Sequence, residues 1–251
     1  MTAPSILAVY AHPDDESLAA GGVLARHAAA GARTGVVTTT WAANSPRAAE
    51  LADALQALGA ESPRMLGYAD FRVPASAPGR PRFCDAPLDE AVEHLVRHVR
   101  SFRPDLIVSH DAYGSSGHPD HIHTHRVMLL AAHAAGLEDL YPQAGPAWQA
   151  AAVYLSAHPR SAGAALARLL AGVGKRLYTV PDERISAAVD VRPWLDRKWQ
   201  AIEAHRSEVA RGRSLPALLS TLSAADRAAI LGTEYYIRHE LAPTRRGLHA
   251  L

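Results

Sequence analysis

The stretch YAHPDDES, residues 10–17, follows the apolar run ILAV and carries a histidine, a proline and three consecutive carboxylates. Adjacent like charges repel each other, and a buried carboxylate is costly unless a positive charge lies beside it. The apolar run before it, within residues 5–10, is typical of a buried strand. The stretch therefore predicts that a cation binds where the first strand ends.

A second histidine-rich stretch, HDAYGSSGHPDHIHTHR at residues 110–126, follows the apolar run LIVSH in the same way. The first stretch contains the motif His12-Pro13-Asp14-Asp15, and the second contains His118-Pro119-Asp120-His121. In both motifs we expect the proline at the first position of a helix, where its missing N–H costs nothing. Both motifs are therefore predicted to lie at strand-to-helix junctions on the same edge of a sheet.

Short apolar runs alternate with longer Ala- and Leu-rich patterns through the first half of the chain. This alternation predicts an α/β fold with a mostly parallel sheet flanked by helices, and a ligand site at the carboxyl ends of its strands. The predicted strands are 5–10, 34–41, 106–110, 151–157 and 184–191, and the predicted helices are 17–30, 46–59, 86–102 and 194–210. The pattern becomes less regular after about residue 150, and the tail after residue 238 is expected to be mobile.

The composition argues against several classes of function. The chain has 251 residues, of which 48% are hydrophobic, and a formal net charge of +1. Without a charge excess, we expect neither nucleic acid nor an anionic membrane as a partner. No apolar stretch reaches about 18 residues, so no membrane span is expected, and the N-terminus lacks the basic start of a signal peptide. The single cysteine, Cys84, favours a cytoplasmic location.

The residue types in the two motifs favour a catalytic metal. Zinc prefers histidine nitrogen and carboxylate oxygen, with three protein ligands and one open position in catalytic sites. His12 and Asp15 are three residues apart and can reach one point. His121 is the best candidate for the third ligand, with His125, one helical turn later, as its rival. A helix N-terminus, which favours negative charge, is the alternative explanation for the carboxylates at 14–16.

The segments AHPDDE (11–16) and GHPDH (117–121) resemble the two signature motifs of the PIG-L/LmbE-like zinc N-deacetylases, which include mycothiol, bacillithiol and antibiotic-sugar deacetylases. The resemblance also includes the pattern K-x-x-A-x-x-x-H-x-S at residues 198–207, and beyond it the likeness is loose. The fold of that family is Rossmann-like, in agreement with the pattern of strands and helices. The resemblance implies one deacetylase domain over residues 1–251, with a Rossmann-like core in about 1–135 and a C-terminal portion in about 150–240.

The resemblance also implies a role for each residue of the motifs. His12, Asp15 and His121 would bind Zn²⁺, with Fe²⁺ as the alternative ion. Asp14 would be the general base that takes a proton from the attacking water. His118 would stabilise the oxyanion or protonate the leaving amine.

Substrate contacts are expected from the neighbouring strand ends. Arg72, together with Asp70, follows a predicted strand end on the same edge and is a candidate for binding sugar hydroxyls. In the mycothiol branch a tyrosine stands two residues before the second motif, whereas this chain has Ser116 there and Tyr113 three residues earlier. Tyr113 and Ser116 are both candidate substrate contacts. The Pro- and Gly-rich loop 73–87 is expected to cover a small ligand.

Metal-bound histidines usually donate their second N–H to a carboxylate or a carbonyl. Asp111 and Asp120 are the candidates for this role, and His110 also ends a strand on the same edge. His205 is expected either to support the site from the late helix or to pack in the core.

The motifs predict a metal-dependent hydrolase, and the resemblance implies that it removes an N-acyl group, usually acetyl, from an N-acetylglucosamine-type sugar conjugate. The expected partner is therefore a small-molecule amino-sugar conjugate, and a homo-oligomer is compatible with the sequence. One alternative is an amidase acting on a thiol conjugate of the mycothiol type. Another is a non-catalytic, metal-holding Rossmann-like binding protein. A dinucleotide-binding module is not predicted, because the chain has no G-x-G-x-x-G motif after its first strand.

Overall fold

A seven-stranded sheet forms the centre of the protein, which is described here by a computed structural model of residues 3–242. Its strands are β1 (Ile6–Tyr10), β2 (Thr34–Thr40), β3 (Arg64–Tyr68), β4 (Leu106–His110), β5 (Ala152–Ser156), β6 (Ala187–Asp190) and β7 (Thr233–Glu240). Their order is β3-β2-β1-β4-β5-β7-β6. Strands β1 to β5 pair in parallel, whereas β7 is antiparallel to both β5 and β6. The predicted α/β class with a mostly parallel sheet is confirmed.

Helices pack on the faces of this sheet. They are α1 (Asp15–Ala29), α2 (Pro46–Leu58), α3 (Leu88–Phe102), α4 (Gly114–Gly117), α5 (Pro119–Ala134), α6 (Ala164–Ala171), α7 (Leu195–Ala204), α8 (Arg206–Val209), α9 (Leu215–Ser220) and α10 (Ala224–Leu231). None of the helices within residues 3–242 is long and apolar enough to cross a membrane.

The central strand β1 is buried along its whole length, as expected for a parallel strand covered on both faces. Its side chains alternate between the faces. Leu7 and Val9 belong to the core cluster that includes α3 and α5 residues, whereas Ile6 and Tyr10 belong to the cluster that includes α1 and α2 residues. The fold therefore holds the end of β1 rigidly between two apolar layers.

Several elements differ from the sequence prediction, and helices α6, α9 and α10 were not predicted. Helix α1 begins at Asp15, so Pro13 lies outside it and not at its first position. The predicted helix 194–210 is two helices, α7 and α8, because the backbone of His205 leaves the helical conformation at φ −79° and ψ 62°. Strand β7 was not predicted, and it extends to Glu240, where a mobile tail was expected. Residues 243–251, the rest of that tail, lie outside the described residues.

Candidate metal centre

Strands β1 and β4 are neighbours in the sheet, and their parallel pairing places their carboxyl ends side by side. The first His-Pro-Asp motif begins at His12, just after β1, and the second begins at His118, after β4 and the short helix α4. His12 Nδ1 lies 3.0 Å from His121 Nε2 and 3.4 Å from Asp15 Oδ2. His121 Nε2 also lies 3.4 Å from the same carboxylate oxygen. The three predicted ligands therefore present one donor atom each to a common point.

This triangle fits the coordination that zinc prefers. Ligand atoms about 2.0–2.1 Å from a tetrahedral ion lie roughly 3.3–3.5 Å from one another, close to the three distances observed. The donor set of two imidazole nitrogens and one carboxylate oxygen is also one that zinc uses in catalytic sites. Asp15 Oδ2 additionally accepts a hydrogen bond of 2.8 Å from the backbone N–H of His12, which fixes the carboxylate.

Hydrogen bonds on the far side of each imidazole direct its lone pair toward the triangle. His121 Nδ1 donates to the carbonyl oxygen of Gly114 at 3.0 Å, which leaves Nε2 unprotonated in the neutral ring. His12 Nε2 donates to Asp120 Oδ2 at 3.2 Å, which leaves Nδ1 unprotonated. Gly114 has a φ of +58°, and a Cβ on it would lie 2.4 Å from His121 Cβ, so only glycine allows this approach.

Two buried carboxylates hold the outer nitrogen of His12. Asp120 accepts backbone N–H bonds from Phe71 and Cys84, at 2.9 and 3.1 Å, besides its contact with His12. Asp70 Oδ2 lies 3.2 Å from His12 Nε2. Burial alone lowers the pKa of His12, but the bonds to its surrounding carboxylates outweigh this effect and raise the pKa well above its ordinary value. The carboxylates therefore make the centre attractive to a cation.

Other histidines lie near the triangle but have their nitrogens engaged differently. His110 Nε2 is 3.4 Å from Asp15 Oδ2, yet it accepts a hydrogen bond of 3.3 Å from the backbone N–H of Ala11. The ring of His110 stacks on that of His121 with centroids 4.1 Å apart. His125, the rival ligand, bonds through Nδ1 to the carbonyl oxygen of His110 and lies outside the groups of metal-competent side chains.

Asp14 occupies a special backbone position immediately before α1. Its φ is 136°, a left-handed conformation that is strained for any residue but glycine. Arg47 Nη2 lies 3.3 Å from Asp14 Oδ1 and also donates to the carbonyl oxygen of Pro13, while its Nη1 donates to Glu208. Burial raises the pKa of the Asp14 carboxyl to about 7, although the guanidinium of Arg47 lowers it. The carboxylate is thus held beside Asp15, a ligand candidate, by a buried arginine.

The next residue along, Glu16, supports this turn from inside the protein. Its Oε2 accepts the backbone N–H of Asp14 at 3.0 Å, and its Oε1 contacts His205 Nε2 at 2.8 Å. Glu16 and His205 are both fully buried. The break between α7 and α8 at His205 brings the imidazole to this carboxylate, so His205 supports the first motif from the late helices.

His118 caps α5, and its ring faces the cavity. Its Nδ1 accepts the backbone N–H of Asp120 at 3.3 Å, so the neutral ring carries its proton on Nε2. Its ring centroid is 4.8 Å from that of His12. Burial and the neighbouring His12 lower the pKa of His118 to about 4. The residue therefore presents an N–H donor beside the triangle.

A cavity of about 1010 Å³ opens in front of these residues. Arg72 and Ser116 line it, as do both catalytic candidates and all three ligand candidates. Tyr113 does not line it, because its half-exposed ring stacks on Tyr178 with centroids 5.3 Å apart. Asp111 accepts the backbone N–H of Ser115 at 3.1 Å, and so it shapes the loop that contains Gly114 without touching a ligand histidine.

The loop 73–87 does not cover this cavity in the described part of the chain. Phe83 is fully buried and Ser76 Oγ accepts the backbone N–H of Asp70, so the loop packs against the core. The segments 173–177 and 211–216 line the cavity instead. Sequence reasoning also missed Arg47 and Glu208. Their positions depend on how α2 and α8 pack, and the serine–proline start of α2 was the only local signal.

The fold is shared with known deacetylases of sugar conjugates. The N,N'-diacetylchitobiose deacetylase from Pyrococcus horikoshii superposes with a TM-score of 0.64 over 94% of this chain and 84% of its own, at 17% identity. The zinc-inhibited form of a teicoplanin deacetylase gives 0.60 over 94% and 98%, at 22% identity. The class defined is therefore a Rossmann-like α/β protein with histidines and carboxylates gathered at its strand ends.

The sequence comparisons identify the family. Residues 7–132 match the PIG-L family, described as GlcNAc-PI de-N-acetylase. The 1D-myo-inositol 2-acetamido-2-deoxy-alpha-D-glucopyranoside deacetylase of Geodermatophilus obscurus is 35% identical, over 92% of this chain and 90% of the relative. The chain belongs to the PIG-L family, and the resemblance predicted from its two motifs is confirmed.

Proposed function

We propose that this protein is a metal-dependent hydrolase that removes the acetyl group from an N-acetylglucosamine-type sugar conjugate. The observation that carries the proposal is the triangle of donors from His12, Asp15 and His121, with Asp14 and His118 on the same cavity. Membership of the PIG-L family supports this reaction, as does the deacetylase name of the relative that is 35% identical.

Zn²⁺ is the ion we propose for the triangle, with Fe²⁺ as the alternative that suits the same donors. When bound, such an ion polarises an amide carbonyl and acidifies a water molecule. His12 and His121 contribute lone pairs that are aimed by their outer hydrogen bonds, and Asp15 contributes the negative charge. Asp120 and Asp70 hold His12 in place from behind.

Asp14 and His118 perform the proton and charge chemistry in this proposal. Asp14 accepts a proton from the attacking water, and Arg47 keeps its carboxylate in position for that transfer. His118 donates its Nε2–H to the carbonyl oxygen as negative charge develops there. The proton held by Asp14 then passes to the leaving amine, so the products are acetate and a free amino sugar.

Two residues of the cavity wall are our candidates for contacts with the sugar. Arg72 and Ser116 are polar, exposed and on the same cavity as the metal ligands. Arg72→Ala should raise KM for the best sugar substrate, because a contact formed equally in the ground and transition states affects binding. An unchanged KM and kcat would exclude Arg72 from the substrate site.

The test is release of a primary amine from a panel of acetylated compounds, after chelation and re-addition of Zn²⁺ or Fe²⁺. The panel contains N-acetylglucosaminyl conjugates, acetylated peptides and thiol conjugates of the mycothiol type. We expect turnover of the sugar conjugates, lost on chelation and restored by one ion. Turnover confined to acetylated peptides, or none with either ion, would contradict the proposal, and preference for thiol conjugates would favour the amidase alternative.

A further inference from the structure

The cavity is larger than the metal centre requires. Its volume of about 1010 Å³ lies at the upper end of the ~300–1,000 Å³ typical of pockets that hold a drug-sized ligand. One N-acetylated sugar ring is smaller than such a ligand. The metal-ligand candidates come from the ends of β1 and β4, whereas much of the remaining wall comes from α6, α9 and α10, in the C-terminal part of the chain.

This C-terminal wall is apolar, and we call it the apolar arm. It is defined by Leu166, Leu170, Leu177, Leu219, Ile230 and Leu231. On α6 the lining residues Leu166 and Leu170 are four positions apart and share one face of the helix, and Ala162, two residues before the helix, also lines the cavity. The facing wall comes from α9 and from the last turn of α10.

The burial of the α6 face of this wall points to a binding surface, whereas Leu219 and Leu231 belong to a core cluster. Leu166 and Leu170 are only 8% and 6% exposed, yet neither belongs to any of the three apolar core clusters found among residues 3–242. Leu169, between them, packs instead against the cluster formed by Ile202, Leu219 and Leu231. The lining face of α6 is thus shielded from bulk water without packing into the core, as expected for the wall of an enclosed ligand site.

One buried pair of charged residues lies next to the arm, and the basic residues Lys175, Arg176, Arg211 and Arg213 also line the cavity. Lys198 Nζ lies 2.7 Å from Glu234 Oε1, and both side chains are nearly fully buried. Glu234 also accepts the backbone N–H groups of Gly22 and Val23, at 2.8 and 2.9 Å. A paired and hydrogen-bonded buried charge offers little to a polar ligand, so Lys198 and Glu234 leave the leucine-lined part of the cavity to an apolar one.

We propose that the apolar arm binds an alkyl chain or aromatic ring carried by the substrate of this enzyme. The inference rests on the proposed deacetylation, because the arm and the metal centre share one cavity. Such a group can be attached in two places, as the aglycone of the sugar or as a longer acyl chain on its nitrogen. In either position, each methylene that enters the arm raises kcat/KM by about three- to fourfold until the arm is full.

The experiment measures kcat/KM on two series of substrates with the metal-loaded enzyme. The first contains methyl, butyl and octyl glycosides of N-acetylglucosamine, and the second contains methyl glucosaminides with acetyl, butanoyl and octanoyl groups. If kcat/KM rises with chain length in the first series, the arm binds the aglycone. If it rises in the second series, the arm binds the acyl chain. If kcat/KM does not change with chain length in either series while the methyl N-acetyl compound is turned over, the proposed role of the apolar arm is wrong and the proposed deacetylation stands.

A variant that fills the arm with a larger side chain tests whether the effect of chain length on kcat/KM arises there. Leu166→Trp should lower kcat/KM for the preferred octyl substrate by at least about tenfold, which is less than two methylenes of lost burial, and should leave the methyl N-acetyl substrate within twofold. Leu137→Trp, at a position that is 56% exposed and outside the cavity, is the matched control and should change neither. Equal losses on both substrates would contradict the proposal. If Leu166→Trp does not fold, Leu170→Ala enlarges the arm and should shift the optimum to longer chains.

Binding without turnover separates the two proposals. Calorimetry on Asp14→Asn compares the octyl and methyl glycosides of N-acetylglucosamine and the octanoyl and acetyl forms of the methyl glucosaminide. At least tenfold tighter binding of one octyl or octanoyl compound supports the arm, even if no substrate is hydrolysed and the proposed reaction fails. Equal affinity for all four compounds would show that the arm does not bind an apolar group, whatever reaction the enzyme catalyses.

Discussion

The first motif, at residues 12–15, and the second, at residues 118–121, share His-Pro-Asp in the same order but differ in where the helix begins. In the second, Pro119 is the first residue of α5 and His118 caps it in an extended conformation. In the first, the helix begins two residues after Pro13, and Asp14 is left outside at a φ of 136°. The third residue of each motif therefore points to a different task.

The regular motif uses its aspartate for support, and the irregular motif keeps its aspartate for the cavity. Asp120 is fully buried in the first turn of α5 and bonds to His12, so the second motif holds a ligand candidate of the first. Asp14, displaced from the helix, lines the cavity beside Asp15. The same sequence, His-Pro-Asp, thus provides an orienting carboxylate in the second motif and a candidate base in the first, because the helix begins at a different position in each.

The largest effect should come from removing the fourth residue of the second motif. His121→Ala should abolish stoichiometric metal binding and reduce turnover to background, since only two of three protein ligands remain. Metal content by elemental analysis is the measurement. His125→Ala, on the same face of α5, is the control and should retain the metal, and loss of metal in that variant alone would transfer the third ligand to His125.

Asp14→Asn should retain the metal and lose about 10²–10⁴-fold in kcat, the usual range for loss of a general base. The amide preserves the size of the side chain and cannot accept the proton. Metal content and kcat are measured on the same preparation. A metal-free variant would make Asp14 a ligand, and a near-normal rate would assign the proton to another group.

Asp120→Asn, at the equivalent position of the second motif, should have a smaller effect of about 10–100-fold in metal affinity or activity. The amide can still bond to His12 but no longer carries the charge that makes its ring a better donor. Competition with a chelator gives the affinity. If Asp120→Asn were as damaging to kcat as Asp14→Asn while retaining the metal, the division of tasks between the two motifs would be wrong.

The smallest effect concerns the strained backbone of the first motif. Asp14→Gly should be more stable than Asp14→Ala by about 1 kcal/mol, or roughly 2–4 °C in Tm, because both variants remove the carboxylate and only glycine relieves the positive φ. Thermal unfolding of the two metal-free variants measures it. Equal stability would show that the conformation at residue 14 carries no strain.

Local patterns were sufficient to predict most of the sheet and the contents of the site. Strands β1, β2 and β4 are short buried runs, and the parallel arrangement implied that residues after β1 and β4 meet at one edge. The structure accordingly brings His12, Asp15 and His121 within 3.0–3.4 Å of one another.

Contacts between distant segments could not be predicted in the same way. Arg47 reaches Asp14 from α2 and leaves no pattern in the nearby sequence. His205 lies in a pattern and was a candidate for supporting the site, but its contact with Glu16 depends on the break between α7 and α8. Strand β7 was missed because it contains Glu234 at a buried position, which is tolerable only through its pairing with Lys198. The irregular start of α1 is held by one tertiary contact, from Arg47 to the carbonyl oxygen of Pro13, and by one local contact, from the backbone N–H of Asp14 to Glu16.

The position of β7 has a consequence for synthesis of the chain. β5 emerges from the ribosome long before β7, its antiparallel neighbour. At a synthesis rate of ~5–20 residues per second, the edge of β5 stays unpaired for several seconds. An uncovered strand edge is a template for pairing with another chain. We expect chains truncated before Thr233 to aggregate, whereas those ending just after Glu240 stay in the supernatant after centrifugation. Completion of the last strand would thus be the step that protects the nascent protein from self-association.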